Sequence, residues 1–145
     1  MRILETSDIG HESDNIKSRI KVYEEDIIYY TEFENPDNSI RNEVFDELER
    51  VIPDRPYFII FDSREMKTRE NARERELLVK RLNDLPQSVC LFYLFNEKSY
   101  FDKTLKFILK RTKHLSYWIT KTPEEAFDNI KSIKDNVENY FYMTK

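Results

Sequence analysis

Asp62 and Ser63 end the most apolar stretch of the chain, Tyr57-Phe58-Ile59-Ile60-Phe61, and Thr68 follows among Arg64, Lys67, Arg69 and Arg73. A carboxylate and two hydroxyls close to several cations suit recognition of a partner or acceptance of a phosphoryl group. A phosphate on Thr68 would add roughly −1.5 to −2 charges and strong acceptor oxygens for the neighbouring Arg and Lys side chains. The plainer reading of the same residues is local. Asp and Ser side chains bond nearby backbone N–H groups in turns, and Thr is a good helix N-cap.

A second charged group lies further on. Lys103, Lys106, Lys110, Arg111 and Lys113 form a basic stretch without an acid. It suits a membrane surface rich in anionic lipid, or an acidic partner. It equally suits a solvated helix face whose cations complement the C-terminal dipole.

Other chemistry is poorly provided for. The single glycine is Gly10. Phosphate-cradling loops need glycine where the backbone approaches the phosphate, so neither a dinucleotide fingerprint nor a P-loop can be written. A nucleophile elbow is excluded in the same way. The lone cysteine, Cys90, sits inside the apolar run Val89 to Phe95 and reads as a buried structural thiol. His11 and His114 are the only histidines, without helpers at metal-ligand spacing. No cofactor, no metal and no catalytic residue is expected, and the chain reads as non-enzymatic.

The formal charge is −4, with a strongly acidic first third and a basic remainder. That balance speaks against general nucleic-acid binding. No basic-then-apolar leader and no membrane-length apolar run is visible, which predicts a cytoplasmic protein.

These residues need a scaffold. At 145 residues the chain reads as one domain, able to bury roughly 70% of its unfolded surface. Residues 1–15 and 139–145 read as tails around a domain spanning 16–138. Alternation at Ile20 and Val22, a turn at Glu24-Glu25-Asp26 and the run Ile27 to Phe33 predict an antiparallel hairpin. Ser39 is expected to cap a helix with Ile40, Val44, Phe45, Leu48 and Val51 on its apolar stripe. Residues 57–61 then predict a strand buried on both faces, with Asp62 and Ser63 just past its C-terminal edge. Open α/β sheets carry their sites at that edge.

A helix from about Arg69 to Asp84 follows, with Ala72, Leu78, Leu82 and Leu85 facing inward. The run Val89 to Phe95 predicts another buried strand. A third helix is expected after a cap at Asn96 or Ser99, with Phe101, Leu105, Ile108, Leu109 and Thr112 on its stripe, and a shorter strand covers Leu115 to Thr120 around Trp118. Thr122-Pro123-Glu124-Glu125 is a helix start with a capping box. The helix behind it buries Ala126, Phe127, Ile130 and Ile133. The order ββαβαβαβα predicts an α/β fold with a mostly parallel sheet and one antiparallel strand from the hairpin. An Asp after a buried strand also suits a receiver-type phosphoacceptor, but a hairpin cannot supply the extra acids that would hold Mg²⁺.

This order resembles the STAS fold of sporulation anti-sigma-factor antagonists, sulfate-transporter cytoplasmic domains and small bacterial SpoIIAA-like proteins. The resemblance runs from about residue 17 to 134. It is carried most by Val89 to Asn96, Phe107-Ile108-Leu109, Tyr117-Trp118-Ile119-Thr120 and Thr122-Pro123-Glu124-Glu125-Ala126. It implies a regulatory, non-enzymatic domain working through a protein partner. The antagonists' Asp-Ser-Ser-Gly acceptor motif is absent, because its place reads Lys67-Thr68-Arg69-Glu70-Asn71. The expected interaction surface is Asp62, Ser63, Arg64, Thr68 and Arg69. The rival reading is a SpoIIAA-like module for a small ligand or lipid, with an apolar cavity near Phe101, Leu105 and Trp118. The tail cluster Tyr140-Phe141-Tyr142-Met143 packs back on the domain or supports a homodimer.

Overall fold

The computed structural model describes residues 15–68, 70–86, 88–94, 108–112 and 116–136. The opening hairpin forms as the alternation predicts. Strand β1 (Ile20–Tyr23) pairs antiparallel with β2 (Ile27–Thr31). The turn between them is tight: the Asp26 N–H donates to the Tyr23 carbonyl at 3.2 Å. Glu24 and Glu25 take left-handed backbone angles, with φ of 54° and 71°. Side chains with a Cβ adopt that region at a cost of about 1–2 kcal/mol per residue.

Strands β3 (Phe58–Asp62) and β4 (Cys90–Leu94) are buried along their whole length, as continuous apolar runs in a covered parallel sheet should be. Strand β5 (Tyr117–Thr120) forms the far edge. The sheet order is β1-β2-β3-β4-β5, with β2 to β5 all parallel.

Helix α1 (Asn38–Val51) joins β2 to β3, and α2 (Ala72–Asp84) joins β3 to β4. Crossovers of one hand between strands laid down in sequential order place their helices on the same face. On that face Ile28, Tyr30, Ile59, Phe61, Leu91 and Tyr93 meet Val44, Phe45 and Leu48 of α1 and Leu82 of α2. The described part of the expected third helix, 108–110, adds Ile108 and Leu109 to this core. Helix α3 (Pro123–Asn136) follows the last strand and covers the opposite face. There Ile27, Phe58, Ile60, Phe92 and Leu94 meet Ala126 and Ile130. Cys90 belongs to this second core, where burial pushes its thiol up to about 12.

Several local expectations are corrected. Asp37, not Ser39, caps α1: its carboxylate accepts the Ile40 N–H at 2.9 Å. Helix α2 starts at Ala72 rather than near Arg69. Asn71 accepts from the Glu74 N–H and Glu74 accepts from the Asn71 N–H, each at 2.9 Å. Ala72 is exposed instead of buried. At α3, Thr122 accepts the Glu125 N–H at 3.1 Å as expected, but Glu125 reaches one residue further back, to the N–H of Lys121 at 3.0 Å. Phe127 is half-buried, stacked on Tyr29 with ring centroids 6.1 Å apart. The tails expected at 1–15 and 139–145 lie almost wholly outside the described residues, and Ile16 is already buried in the first core.

Candidate functional site

Alternation along a strand separates Asp62 from Ser63. Asp62 is the last residue of β3 and turns toward the α3 face, where it is buried. The Tyr29 hydroxyl donates to its Oδ2 at 2.5 Å, and Arg64 donates through Nε to Oδ1 and Nη2 to Oδ2, each at 2.8 Å. Burial works against its ionisation, but the bonds from Arg64 and Tyr29 prevail and hold the carboxyl below the usual range. Its acceptor positions are spent inside the fold, and the pair with Arg64 fixes the start of the following loop.

Ser63 turns the other way, into a cavity of about 50 Å³ at the C-terminal edge of the sheet. The strand ends supply Tyr30, Glu32, Phe61 and Tyr93 to its lining, and Arg41, Val44 and Phe45 come from α1. The loop between β3 and α2 contributes Ser63, Met66 and Glu70. Three backbone bonds hold that loop. The Ser63 N–H donates to the Leu94 carbonyl at 2.7 Å, Met66 N–H to Ser63 at 3.2 Å and Lys67 N–H to Glu34 at 2.6 Å.

Arg41 dominates the cavity. Its side chain is 2% exposed. Its Nη1 lies 3.0 Å from Glu74 Oε2 and its Nη2 3.7 Å from Glu70 Oε2, yet none of its three nitrogens has a hydrogen-bond acceptor in line. A buried guanidinium has five N–H donors to satisfy and cannot shed its charge. Glu32 faces the same space. Its Oε1 accepts from the Tyr30 hydroxyl and from the Phe33 N–H, the latter at 2.9 Å. Burial pushes the Glu32 carboxyl up, against the pull of Tyr30, Phe33 and Arg41. Glu70 is pushed up by burial too, with Glu74 adding to the shift and Arg41 opposing it. The result is one fixed cation among three carboxyl groups, walled by aromatic and aliphatic side chains. Phe61 and Tyr93 stack in that wall with centroids 5.0 Å apart.

The other expected site residues do not converge here. Thr68 is exposed in the loop ahead of Asn71, so it does not stand at the helix N-terminus, which Asn71 and Glu74 occupy. Lys67 pairs with Glu34 at 3.5 Å. Lys110 and Arg111 are exposed, while Arg69, Lys103, Lys106 and Lys113 lie outside the described residues. Phe101 and Leu105, beside which a cavity near Trp118 is expected, also lie outside the described residues. Trp118 itself is 47% exposed on the α3 face, beside Phe92. Among the described residues no group of three His, Cys, Asp or Glu side chains could hold a metal ion. Among them, too, no helix is long and apolar enough to cross a membrane.

Arg41 and Glu32 are not among the site residues expected from the sequence, although both carry a signal there. Arg41, Val44, Phe45 and Leu48 stand at i, i+3, i+4 and i+7, so the arginine is in phase with the buried stripe. Ile28, Tyr30 and Glu32 alternate along one strand face, so the glutamate continues a core-facing row. A charge in phase with a core is the informative exception. Glu70 has no such signal, because a loop residue has no periodicity to break. No family model matches the chain, and no curated protein or solved structure matches it.

Proposed function

We propose that this chain is a non-enzymatic, STAS-like regulatory domain of the SpoIIAA-like type, working in the cytoplasm, that reads a small molecule and answers through a protein partner. The observation that carries the reading is the cavity under Arg41, whose lining is shared between the rigid strand ends and the loop of residues 63–70. A molecule that satisfies Arg41 touches Ser63, Met66 and Glu70 as well, so occupancy and loop conformation are linked. Thr68 and Lys67 lie on the exposed side of the same loop, where a partner would meet them. Ligand sites at the C-terminal edge of parallel strands are the rule in open α/β sheets, and this one is apolar with a few convergent polar groups.

The test is small-molecule release. Protein purified from its native host, denatured and analysed by mass spectrometry, is expected to yield one stoichiometric compound. Val44→Phe, which fills the cavity with a ring, is expected to yield none while remaining folded. An empty wild-type protein, or a compound retained equally by Val44→Phe, would remove the ligand reading.

A further inference from the structure

We infer that the cavity takes a small neutral amide, with its carbonyl oxygen toward Arg41 and its N–H groups toward Glu32 and Glu70; this rests on reading the cavity as a ligand site. Three observations lead there. The first is the demand for an acceptor. Arg41 is 2% exposed, lines the cavity, and leaves Nε, Nη1 and Nη2 without an acceptor in line. Buried donors whose nearest acceptors lie out of line are under-satisfied, so an oxygen delivered in line to them is rewarded.

The second is charge. Glu74 and Glu70 approach Arg41 at 3.0 and 3.7 Å, and Glu32 lines the same cavity. Carboxyl groups already outnumber the cation. Above their raised pKa values, where Glu32 and Glu70 are ionised, a carboxylate or phosphate entering beside them meets like charge in a low-dielectric site. A cation entering beside Arg41 meets the opposite difficulty. A neutral group with an acceptor on one side and donors on the other meets neither, and an amide has that arrangement.

The third is size and shape. A cavity of about 50 Å³ accommodates roughly three to five heavy atoms, judged from the space one water needs. The stacked rings of Phe61 and Tyr93 form part of its wall, a flat surface against which a planar group packs well. A planar amide of that size fits both limits.

Acetate, acetamide and acetamidinium share one planar frame and differ in charge, which makes them the probes. Each is titrated into the full chain at constant ionic strength, following the Arg41 Nε–H and the Ser63 and Met66 amide resonances. Acetamide is expected to saturate on the order of millimolar, since so few heavy atoms cap its affinity at roughly tens of micromolar even in the best case. Acetate and acetamidinium are expected to bind at least about tenfold more weakly, because like charges oppose each in the buried site. Glu32→Gln and Glu70→Gln, which keep the side-chain shape, are expected to weaken acetamide while leaving the fold intact. Tightest binding by acetate or by acetamidinium would overturn the amide assignment and leave the cavity reading standing. Failure of all three probes would overturn the assignment. If the purified protein then also released no compound, the cavity reading would fall with it.

Discussion

Asp62 is buried and Glu32 half-buried, each near an arginine, and their carboxyl groups shift with opposite sign. Asp62 receives Arg64 and Tyr29 in line and is held below its ordinary 3.8, whereas Glu32 is pushed above 4.5. For Asp62, the folded state binds the proton less tightly than the unfolded chain. Its stabilisation is present above about pH 3.8 and is lost as pH falls through the lower folded value. For Glu32 and Glu70, the folded state binds the proton more tightly. Nothing is lost below about pH 4.5, and stability falls as pH climbs from there through the raised folded values. These groups together predict a stability maximum in mild acid rather than at neutrality. Urea midpoints measured against pH check it. Glu32→Gln should make the decline toward neutral pH shallower, and Asp62→Asn should flatten the acid side. A Glu32→Gln profile as steep as wild type would mean that Glu32 does not titrate as a buried group.

At the scale of elements, the sequence is most readable where a long pattern has to agree with itself. The two buried strands, the hairpin and the stripe of α1 each rest on several residues in phase, so one ambiguous residue does not shift them. The caps are decided differently. Asp37, Asn38 and Ser39 are all competent N-caps, as are Thr68 and Asn71. The chain chooses by where the preceding loop delivers the backbone, which no local pattern encodes. The cavity was legible only by its edge, through Ser63; Arg41 was hidden in a stripe read for its apolar members. The hairpin turn makes a separate prediction. Glu24 and Glu25 occupy left-handed positions, and glycine adopts that region without the Cβ clash. Glu25→Gly should therefore raise stability by about 1 kcal/mol, seen as a higher thermal midpoint. An unchanged or lower midpoint would show that this turn is not strained. Lys134, held to Asp26 at 2.8 Å and Glu24 at 3.5 Å, helps keep the turn closed from the far helix.

For the whole molecule, two cores share one sheet, and their depth differs. Phe58 is fully buried in the α3-side core, while Phe127 only flanks it. Phe58→Ala should cost about 3–5 kcal/mol, the range for a deeply buried ring. Phe127→Ala should cost clearly less, since its ring keeps solvent contact. Equal losses in chemical denaturation would contradict this layering. The strand order has a consequence in time as well as in space. Neighbours in the sheet are neighbours in the chain, so a ribosome releasing the polypeptide hands each new strand a partner that has already emerged. The first face acquires its helices along the way. The second face, with Phe58, Ile60, Phe92 and Leu94, waits for α3, the last described element. Until it emerges, the nascent chain carries a broad uncovered apolar surface, the kind of intermediate that chaperones bind and that aggregates when they are scarce.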